Sequence, residues 1–521
     1  MKGSLWCAGR IARPTGAAVA LLLAIRVLGA QSAATSRHLS CASSLEKGKD
    51  LLGQRQLGQA EELLARAASV CPGEAEIFDT LGLAYDSDGH PTEAQAAYRQ
   101  AISINTRNAS FHNNLAASLL RSGNQAAAIS EFHKALEIDP ANKAANLNLG
   151  SFYLATKQYR SALRCFQAAE VGRSQDPVAL LELTGAYFGV GNARAGRETA
   201  ERLAKIPGLA PAVHFSLGLQ LAEYGEYELA AQQFGAIPAS DRDAVADLNL
   251  GMAYSKLRRF QEARGAYDDA LRRDPSNPDA FLRIGLDVAA SGNHGAALDW
   301  ITQAHTKAPD RPDISCALAQ ELIRVGNFER AHDVLASALA DHPREPSLRE
   351  AQGDLLLQEG RPEAAAEAYL QSLRSEPRRV SARVSLALAY ERLLQSDKAT
   401  SELEHVLRFD DPQNAAAKAQ LGHLALEAGQ QDAARNWIQK ALASDPNNIT
   451  ANEDMAVLLE RAGKPDQAEL ILAKLAKLDP KNPRIHYLLG RVLAQLRRPD
   501  EAAAEFELSK KLQVPQDRLS E

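Results

Sequence analysis

The 521-residue sequence has few of the residue patterns that build catalytic or cofactor sites. It contains 5 cysteines, 3 methionines and 3 tryptophans, and aromatic residues make up only 5% of it. It lacks a glycine-rich phosphate loop, a GxSxG nucleophile elbow, an HExxH motif and a CxxC pair. Its 12 histidines are scattered, and the candidate pair His294 and His305 lacks the spacing of metal ligands. We therefore expect no enzyme activity, no cofactor and no metal site.

The charge balance is also unlike that of a nucleic-acid-binding protein. The chain has 59 Lys and Arg against 65 Asp and Glu, which gives a net charge of −6. No basic run with interleaved aromatic residues is present, and such runs are typical of nucleic-acid surfaces. The composition favours a protein or peptide as the partner.

What the sequence has in abundance is repetition. A Gly or Ala recurs about every 34 residues between Cys41 and Gln516, and an Ala follows 12 residues later at every place except Arg197. Self-similarity at a period between about 20 and 50 residues is the signature of a solenoid. The recurring small residues are Gly48, Gly82, Ala116, Gly150, Gly185, Gly218, Gly251, Gly285, Ala319, Gly353, Ala387, Gly422, Ala456 and Gly490.

Each repeat is predicted to form a helical hairpin. In the repeat 75–108, apolar residues recur at helical spacing from Phe78 to Tyr85, and again from Ala94 onwards. Gly89 separates the two stretches, and glycine can adopt the left-handed conformation that ends a helix. A hairpin with apolar residues on more than one side must stack on its neighbours to bury them.

The repeats set the predicted domain boundaries. We expect a secretory signal peptide at 1–30, a linker at 31–40, fourteen repeats at 41–516 and a tail at 517–521. The predicted repeats begin at residues 41, 75, 109, 143, 178, 211, 244, 278, 312, 346, 380, 415, 449 and 483. The fifth and sixth repeats are irregular, so a bend or a register error is expected there.

The signal peptide is predicted from the first 30 residues. Lys2, Arg10 and Arg13 precede an apolar run at 16–25, which is too short to form a membrane span. This pattern predicts export to the periplasm or the cell exterior. The alternative is an apolar N-terminal tail on a chain that stays in the cytoplasm.

The pattern within the repeat resembles the tetratricopeptide repeat. Asn114-Leu115-Ala116 carries the first half of that motif, and Tyr267-Asp268-Asp269-Ala270-Leu271 carries the second. The resemblance implies an all-α, right-handed superhelical solenoid of about 14 hairpins. It further implies a concave groove lined by positions 2, 5, 6, 9, 12 and 13 of the first helices, which binds a peptide or a partner helix.

Those positions provide two sets of candidate residues. Amides at position 6 offer a donor and an acceptor, and so can hold a peptide backbone; the alternative is that each bonds a neighbouring helix. An apolar patch at Phe215, Leu248 and Met252 is either a partner site or packing between repeats. The candidate peptide-binding residues are Asn113, Asn114, Asn148, Phe215, Asn249 and Met252. The candidate acidic groove, which favours a basic segment, consists of Glu350, Asp354, Glu391, Glu427, Glu453 and Glu460.

Two cysteines are predicted to strengthen the N-terminal end. Cys41 begins the first helix of the first repeat and Cys71 ends its second helix, so their side chains are expected close together. We expect either a disulfide there or two partly buried thiols. The leading function is a non-catalytic binding scaffold; the alternative is an accessory subunit of a cell-envelope assembly or polysaccharide-export machine, and an enzyme is a remote third.

Overall fold

The computed structural model describes residues 40–513, which form 28 helices and no strands. The predicted signal peptide at 1–30, the linker up to residue 39 and the tail at 517–521 lie outside the described residues. The predicted all-α class, a solenoid of tetratricopeptide-like hairpins, is confirmed. Between residues 40 and 513, none of the helices combines the length and apolar character that crossing a membrane requires.

The helices alternate between the first and second members of fourteen hairpins. A short 3₁₀ turn (Val171–Arg173) follows α8, and a π turn (Val406–Asp410) follows α22. The helices are α1 (40–53), α2 (Leu57–Val70), α3 (Ala75–Ser87), α4 (Pro91–Ile104), α5 (Ala109–Arg121), α6 (Gln125–Ile138), α7 (Lys143–Ala155), α8 (Tyr159–Ala168), α9 (Pro177–Gly189), α10 (Ala193–Ala204), α11 (Pro211–Glu223), α12 (Tyr227–Ala236), α13 (Ala244–Lys256), α14 (Phe260–Arg273), α15 (Pro278–Ala290), α16 (His294–Lys307), α17 (Pro312–Arg324), α18 (Phe328–Asp341), α19 (Pro346–Gln358), α20 (Pro362–Ser375), α21 (Val380–Arg392), α22 (Ser396–His405), α23 (Ala415–Glu427), α24 (Gln431–Ser444), α25 (Ile449–Arg461), α26 (Pro465–Leu478), α27 (Pro483–Gln495) and α28 (Pro499–Gln513).

The chain divides into two compact units, Met1–Arg242 and Asp243–Glu521. The N-terminal unit contains α1 to α12, and the C-terminal unit contains α13 to α28. In both units the two helices of a hairpin pack together, and first helices of successive hairpins also touch, as α5 and α7 do, or α17 and α19. The division falls at the end of the sixth repeat, the second of the two irregular ones.

The small residue at position 8 exists to make room for a large side chain at position 24 of the same hairpin. A Cβ added to Gly82 would lie 2.5 Å from the ring of Tyr98, and one added to Gly353 would lie 2.5 Å from that of Tyr369. Both tyrosines are fully buried. A larger residue at position 8 would overpack this contact, at a cost of about 1–3 kcal/mol.

The turn inside every described hairpin needs one residue in the left-handed region. Nine hairpins place Gly there, as at Gly89 with φ 85°, because glycine adopts this region without steric cost. The other five hold a residue with a side chain in the same conformation. These five are Arg55, Lys157, Arg258, Leu394 and Arg497.

The fifth repeat begins one residue earlier than the repeat pattern predicted. Helix α9 starts at Pro177, and the left-handed turn residue is Gly191, which is 14 residues later as in the other hairpins. In this register the close contact is made by Gly196, which is buried against Phe188. Arg197, the apparent exception to the small-residue pattern, is exposed and pairs with Glu226 at 2.8 Å.

Cys41 and Cys71 form a disulfide at the N-terminal end of the described chain. Their Cα atoms are 6.2 Å apart, and both residues belong to the buried cluster that joins the first two hairpins. That separation lies within the usual range for a disulfide. The bond joins the start of α1 to the end of α2, the hairpin that has a neighbour on one side only.

Candidate binding surface

A cleft of about 520 Å³ opens in the C-terminal unit along three successive first helices, α17, α19 and α21. The first helices contribute residues from repeat positions 6, 9, 12 and 13, which are the positions predicted to line a groove. The second helix α20 contributes one residue, Tyr369. The lining residues are Gln320, Ile323, Arg324, Asp354, Leu357, Gln358, Tyr369, Ser385 and Leu388.

Asp354 provides the acidic group of this cleft. Its Oδ1 accepts a hydrogen bond of 2.7 Å from the hydroxyl of Tyr369. Burial raises the pKa of Asp354 to about 6, and the hydrogen bond from Tyr369 opposes that shift. Above that pH the cleft contains a carboxylate that a partly buried cation would stabilise.

The walls of the cleft combine amides with aliphatic side chains. Gln320 and Gln358 each offer an amide donor and acceptor, while Leu357 and Leu388 offer apolar surface. Such a lining suits an extended segment, because its backbone amides need partners and its side chains need apolar contacts. The cleft can therefore hold a peptide through its backbone and one cationic side chain.

The predicted amide ladder in the N-terminal unit forms contacts within the protein itself. Asn114 donates to both carboxylate oxygens of Asp79 on α3, at 3.0 and 3.2 Å. Asn113 donates to Asn114 at 3.2 Å, and Asn148 on α7 donates to Asn113 at 2.9 Å. These bonds link three successive hairpins, so a peptide would have to compete with them.

Asn249 makes a different contact. Its amide donates to the carbonyl oxygen of Val245, one turn earlier on its own helix, at 2.8 Å. The four asparagines therefore place their donors on protein acceptors, which is the alternative weighed for the ladder. Their role in binding stays a prediction.

The apolar candidates belong to different units. Phe215, in the N-terminal unit, is half-buried and packs edge-on against Phe234 with ring centroids 5.8 Å apart. Leu248 and Met252, in the C-terminal unit, pack against the buried cluster that contains Tyr267. These contacts favour packing between helices as their role.

The predicted acidic residues are mostly paired with bases of a neighbouring segment. Glu350 is paired with the guanidinium of Arg379. Glu453 lies 3.2 Å from Arg484. Glu460 accepts bonds from Arg491 at 2.9 and 3.0 Å and from Gln495 at 2.8 Å. These carboxylates join neighbouring parts of the solenoid and leave less negative charge for a basic partner.

Asp354 differs from these acids because its partner is a hydroxyl rather than a cation. Glu391 and Glu427, the remaining two, both face His423, at 3.8 and 3.5 Å from its Nε2. Sequence reasoning named Asp354 but missed Gln320, Gln358 and His423. Their repeat positions, 9, 13 and 9, are groove positions and were the signal that could have found them.

Models of tetratricopeptide repeat families match segments in both units. One matches residues 80–143, 248–312, 316–380, 350–404 and 453–513. Two others match residues 119–171 and 415–448. No curated protein matches the sequence.

Several solved structures resemble the chain at low identity. Yeast Tom70 is 16% identical, with 85% of this chain and 93% of that chain covered and a TM-score of 0.41. The Cut9 and Hcn1 complex of the APC/C is 16% identical, with 80% and 95% covered and a TM-score of 0.39. A human IFIT1 dimer with PPP-AAAA is 14% identical, with 85% and 91% covered and a TM-score of 0.41. Likenesses at this level carry no argument about partners.

Proposed function

The chain belongs to the tetratricopeptide repeat family, and from that premise we propose that it is a non-catalytic scaffold that binds an extended protein segment. The segment lies in the cleft along α17, α19 and α21. Its cationic side chain, a Lys or an Arg, meets the carboxylate of Asp354. The observation that carries the proposal is this carboxylate, with a hydroxyl as its partner, among the amides and aliphatic groups of the cleft.

The chemistry of Asp354 predicts how binding depends on pH. Because its pKa is raised to about 6, the group is partly protonated in mildly acidic solution and ionised near neutrality. A cationic side chain binds the ionised form, so affinity increases as the pH rises through about 6. A charge-assisted hydrogen bond contributes about 1.5–3 kcal/mol, which is tenfold or more in affinity.

Site-specific photocrosslinking in the native host tests the proposal directly. A photoreactive residue replaces Gln358, which is exposed at the cleft, in the full-length tagged chain. The matched control places it at Glu367, which is exposed on the second helix of the same hairpin. We expect a discrete cross-linked protein from position 358 and not from position 367.

A charge variant completes the test. Asp354→Asn should reduce the cross-link at position 358 about tenfold. Asp397→Asn, which removes an exposed acid from the same unit, should leave it unchanged. Equal cross-linking from positions 358 and 367, or a cross-link that is insensitive to Asp354→Asn, would exclude this cleft as the binding site.

An accessory role in a cell-envelope assembly or polysaccharide-export machine is the alternative. It predicts that membrane-machine components copurify with the chain and that their capture does not depend on Asp354. The same cross-linking samples distinguish the two functions.

We also propose that the chain is exported. The proposal is supported by the signal-like segment at 1–30, which lies outside the described residues, and by the Cys41–Cys71 disulfide, since such bonds persist in oxidising compartments. Mass spectrometry of the mature N-terminus tests it. Loss of about 30 residues is expected, whereas an intact Met1 would contradict export.

A further inference from the structure

A histidine and two glutamates from neighbouring hairpins meet in the C-terminal unit. Glu391 ends α21, and His423 and Glu427 lie one turn apart on α23. One ligand atom from each residue lies within 4.8 Å of the other two. We propose that these three residues, the His423 cluster, bind a divalent transition-metal ion of the zinc class.

The spacing of the three groups suits a metal better than direct hydrogen bonds. Nε2 of His423 lies 3.8 Å from Oε1 of Glu391 and 3.5 Å from Oε1 of Glu427. Around a tetrahedral zinc ion with bonds of about 2.0–2.2 Å, neighbouring ligand atoms lie about 3.4 Å apart. Hydrogen bonds between the same atoms would bring them to about 2.7–3.2 Å. Small rotations of the glutamates would therefore complete three metal bonds.

The histidine is held in the orientation that a ligand needs. Its Nδ1 lies 3.0 and 3.1 Å from the carboxylate oxygens of Asp454 on α25. The side chain of Asp454 is only 1% exposed, so its position is fixed by packing. A carboxylate bonded to the second ring nitrogen is the usual support of a metal-binding histidine, because it fixes the ring and the tautomer. Nε2 is thereby directed at the two glutamates.

The two glutamates are available in different ways. The amide of Gln420 bonds to Oε2 of Glu391, which leaves Oε1 facing His423. The side chain of Glu427 is 62% exposed, and it lies four residues after His423 on the same face of α23. Glu391 is thus pre-positioned, and Glu427 can close onto an ion from the solvent side.

The donor set indicates which class of ion the cluster would take. An imidazole nitrogen with two carboxylates suits zinc and similar transition metals, whereas magnesium and calcium prefer oxygen ligands alone. Three protein ligands leave a fourth position for water or for a side chain of a bound partner. The residues occupy repeat positions 12, 9 and 13, which are groove positions, so a bound ion would lie on the binding surface.

A second cluster in the N-terminal unit provides a matched control. His90 Nδ1 lies 3.8 Å from Glu61 and 3.7 Å from Asp88, similar distances to those around His423. However, the side chain of His90 is 50% exposed, whereas that of His423 is 12% exposed and bonded to a buried carboxylate. The comparison isolates the effect of holding the histidine in place.

Zinc titration of the full chain tests the proposal. Metal is removed with a chelator, and binding of Zn²⁺ alone is measured by competition with a chromophoric chelator. We expect one tight site per chain, weakened at least 100-fold by His423→Gln and about tenfold by Glu427→Gln. Asp454→Asn should weaken it about 10–100-fold through the orientation of His423, and His90→Gln should leave it unchanged.

Because Glu427 is exposed, Glu427→Gln keeps the fold and therefore guards against a false result from unfolding; circular dichroism checks this. The proposal is overturned if the wild-type chain binds no Zn²⁺ in the micromolar range. It is equally overturned if Glu427→Gln and His423→Gln bind like the wild type, or if His90→Gln removes the site. The titration needs no protein partner, so its outcome is independent of the peptide-binding proposal.

Discussion

The two units use different chemistry at equivalent repeat positions. In the N-terminal unit, Asn113, Asn114 and Asn148 form a chain of amide hydrogen bonds that ends on Asp79. In the C-terminal unit, glutamates at comparable positions pair with arginines, as Glu350 does with Arg379. In both cases polar residues at groove positions connect successive hairpins. The comparison teaches that such residues are available to a partner only where the neighbouring repeat leaves them a weak contact.

The largest expected effect concerns the end of the N-terminal unit. Replacing Cys41 and Cys71 by Ala should lower the stability of that unit by about 3–4 kcal/mol, because the disulfide closes a loop with a sequence separation of 30. The C-terminal unit should not change, since each repeat interacts mainly with its neighbours. Hydrogen exchange with and without reductant measures both units in one sample. Unchanged exchange of α1 to α4 under reduction would contradict the disulfide.

The next effect concerns the ion pairs of the C-terminal unit. Arg379→Met should cost about 2–3 kcal/mol, because it leaves the carboxylate of Glu350, which is 8% exposed, without its cation. Asn114→Ala in the N-terminal unit should cost only about 1 kcal/mol. Urea unfolding of both variants compares them.

A double variant provides the control for this pair. Adding Glu350→Gln to Arg379→Met should recover most of the loss, because no unpaired charge is then buried. If Arg379→Met costs no more than Asn114→Ala, the two units do not differ in the way described.

A smaller effect is a matched pH response in the two units. Burial raises the pKa of Asp79 and that of Asp354 to about 6 from the usual 3.8. A carboxyl group with a raised folded-state pKa binds its proton more tightly in the folded state, so each contribution to stability falls as the pH rises from about 4 to about 6. Asp79→Asn and Asp354→Asn should each remove about 1–2 kcal/mol of this loss, discounted for partial exposure.

Unfolding of each variant at several pH values, relative to wild type, measures the effect. The stability difference between variant and wild type should increase with pH over this range. A difference that is constant with pH would mean that the burial of these carboxyl groups does not act as described.

The smallest effect should be the same in both units. Lys157, with φ 59°, and Leu394, with φ 57°, occupy the left-handed turn position that most hairpins fill with Gly. Lys157→Gly and Leu394→Gly should each stabilise the chain by about 1 kcal/mol, because the side chain disfavours that conformation. Thermal unfolding measures the gain, and Gly123→Ala should produce a loss. A destabilising effect of both glycine substitutions would contradict the steric account.

The repeat pattern predicted most helix starts because the same few residues build every hairpin. The first helices begin at the predicted residue in nearly every repeat, as at Ala75, Lys143 and Pro346. The fifth repeat was shifted because Gly185 was taken as its small residue. The turn at Gly191 marks the correct register, since it lies 14 residues after Pro177.

The candidate site was predicted less well, because groove positions identify residues but not their partners. The acidic residues were found from their positions, yet Arg379, which pairs with Glu350, lies in a connection between hairpins that the motif does not assign. His423 and Glu391 are 32 residues apart, so no local spacing connects them. Only the stacking of α21 on α23 brings them together.

The most direct test of the account compares the two units in binding. Once the cross-linked partner is known, its affinity is measured at about pH 7.5 for wild type, Asp354→Asn and the double variant Asn114→Ala/Asn148→Ala. We predict a loss of about tenfold or more for Asp354→Asn and less than about twofold for the double variant. The reverse order, with the asparagine variant impaired and Asp354→Asn unaffected, would contradict the central claim and place binding on the amide network.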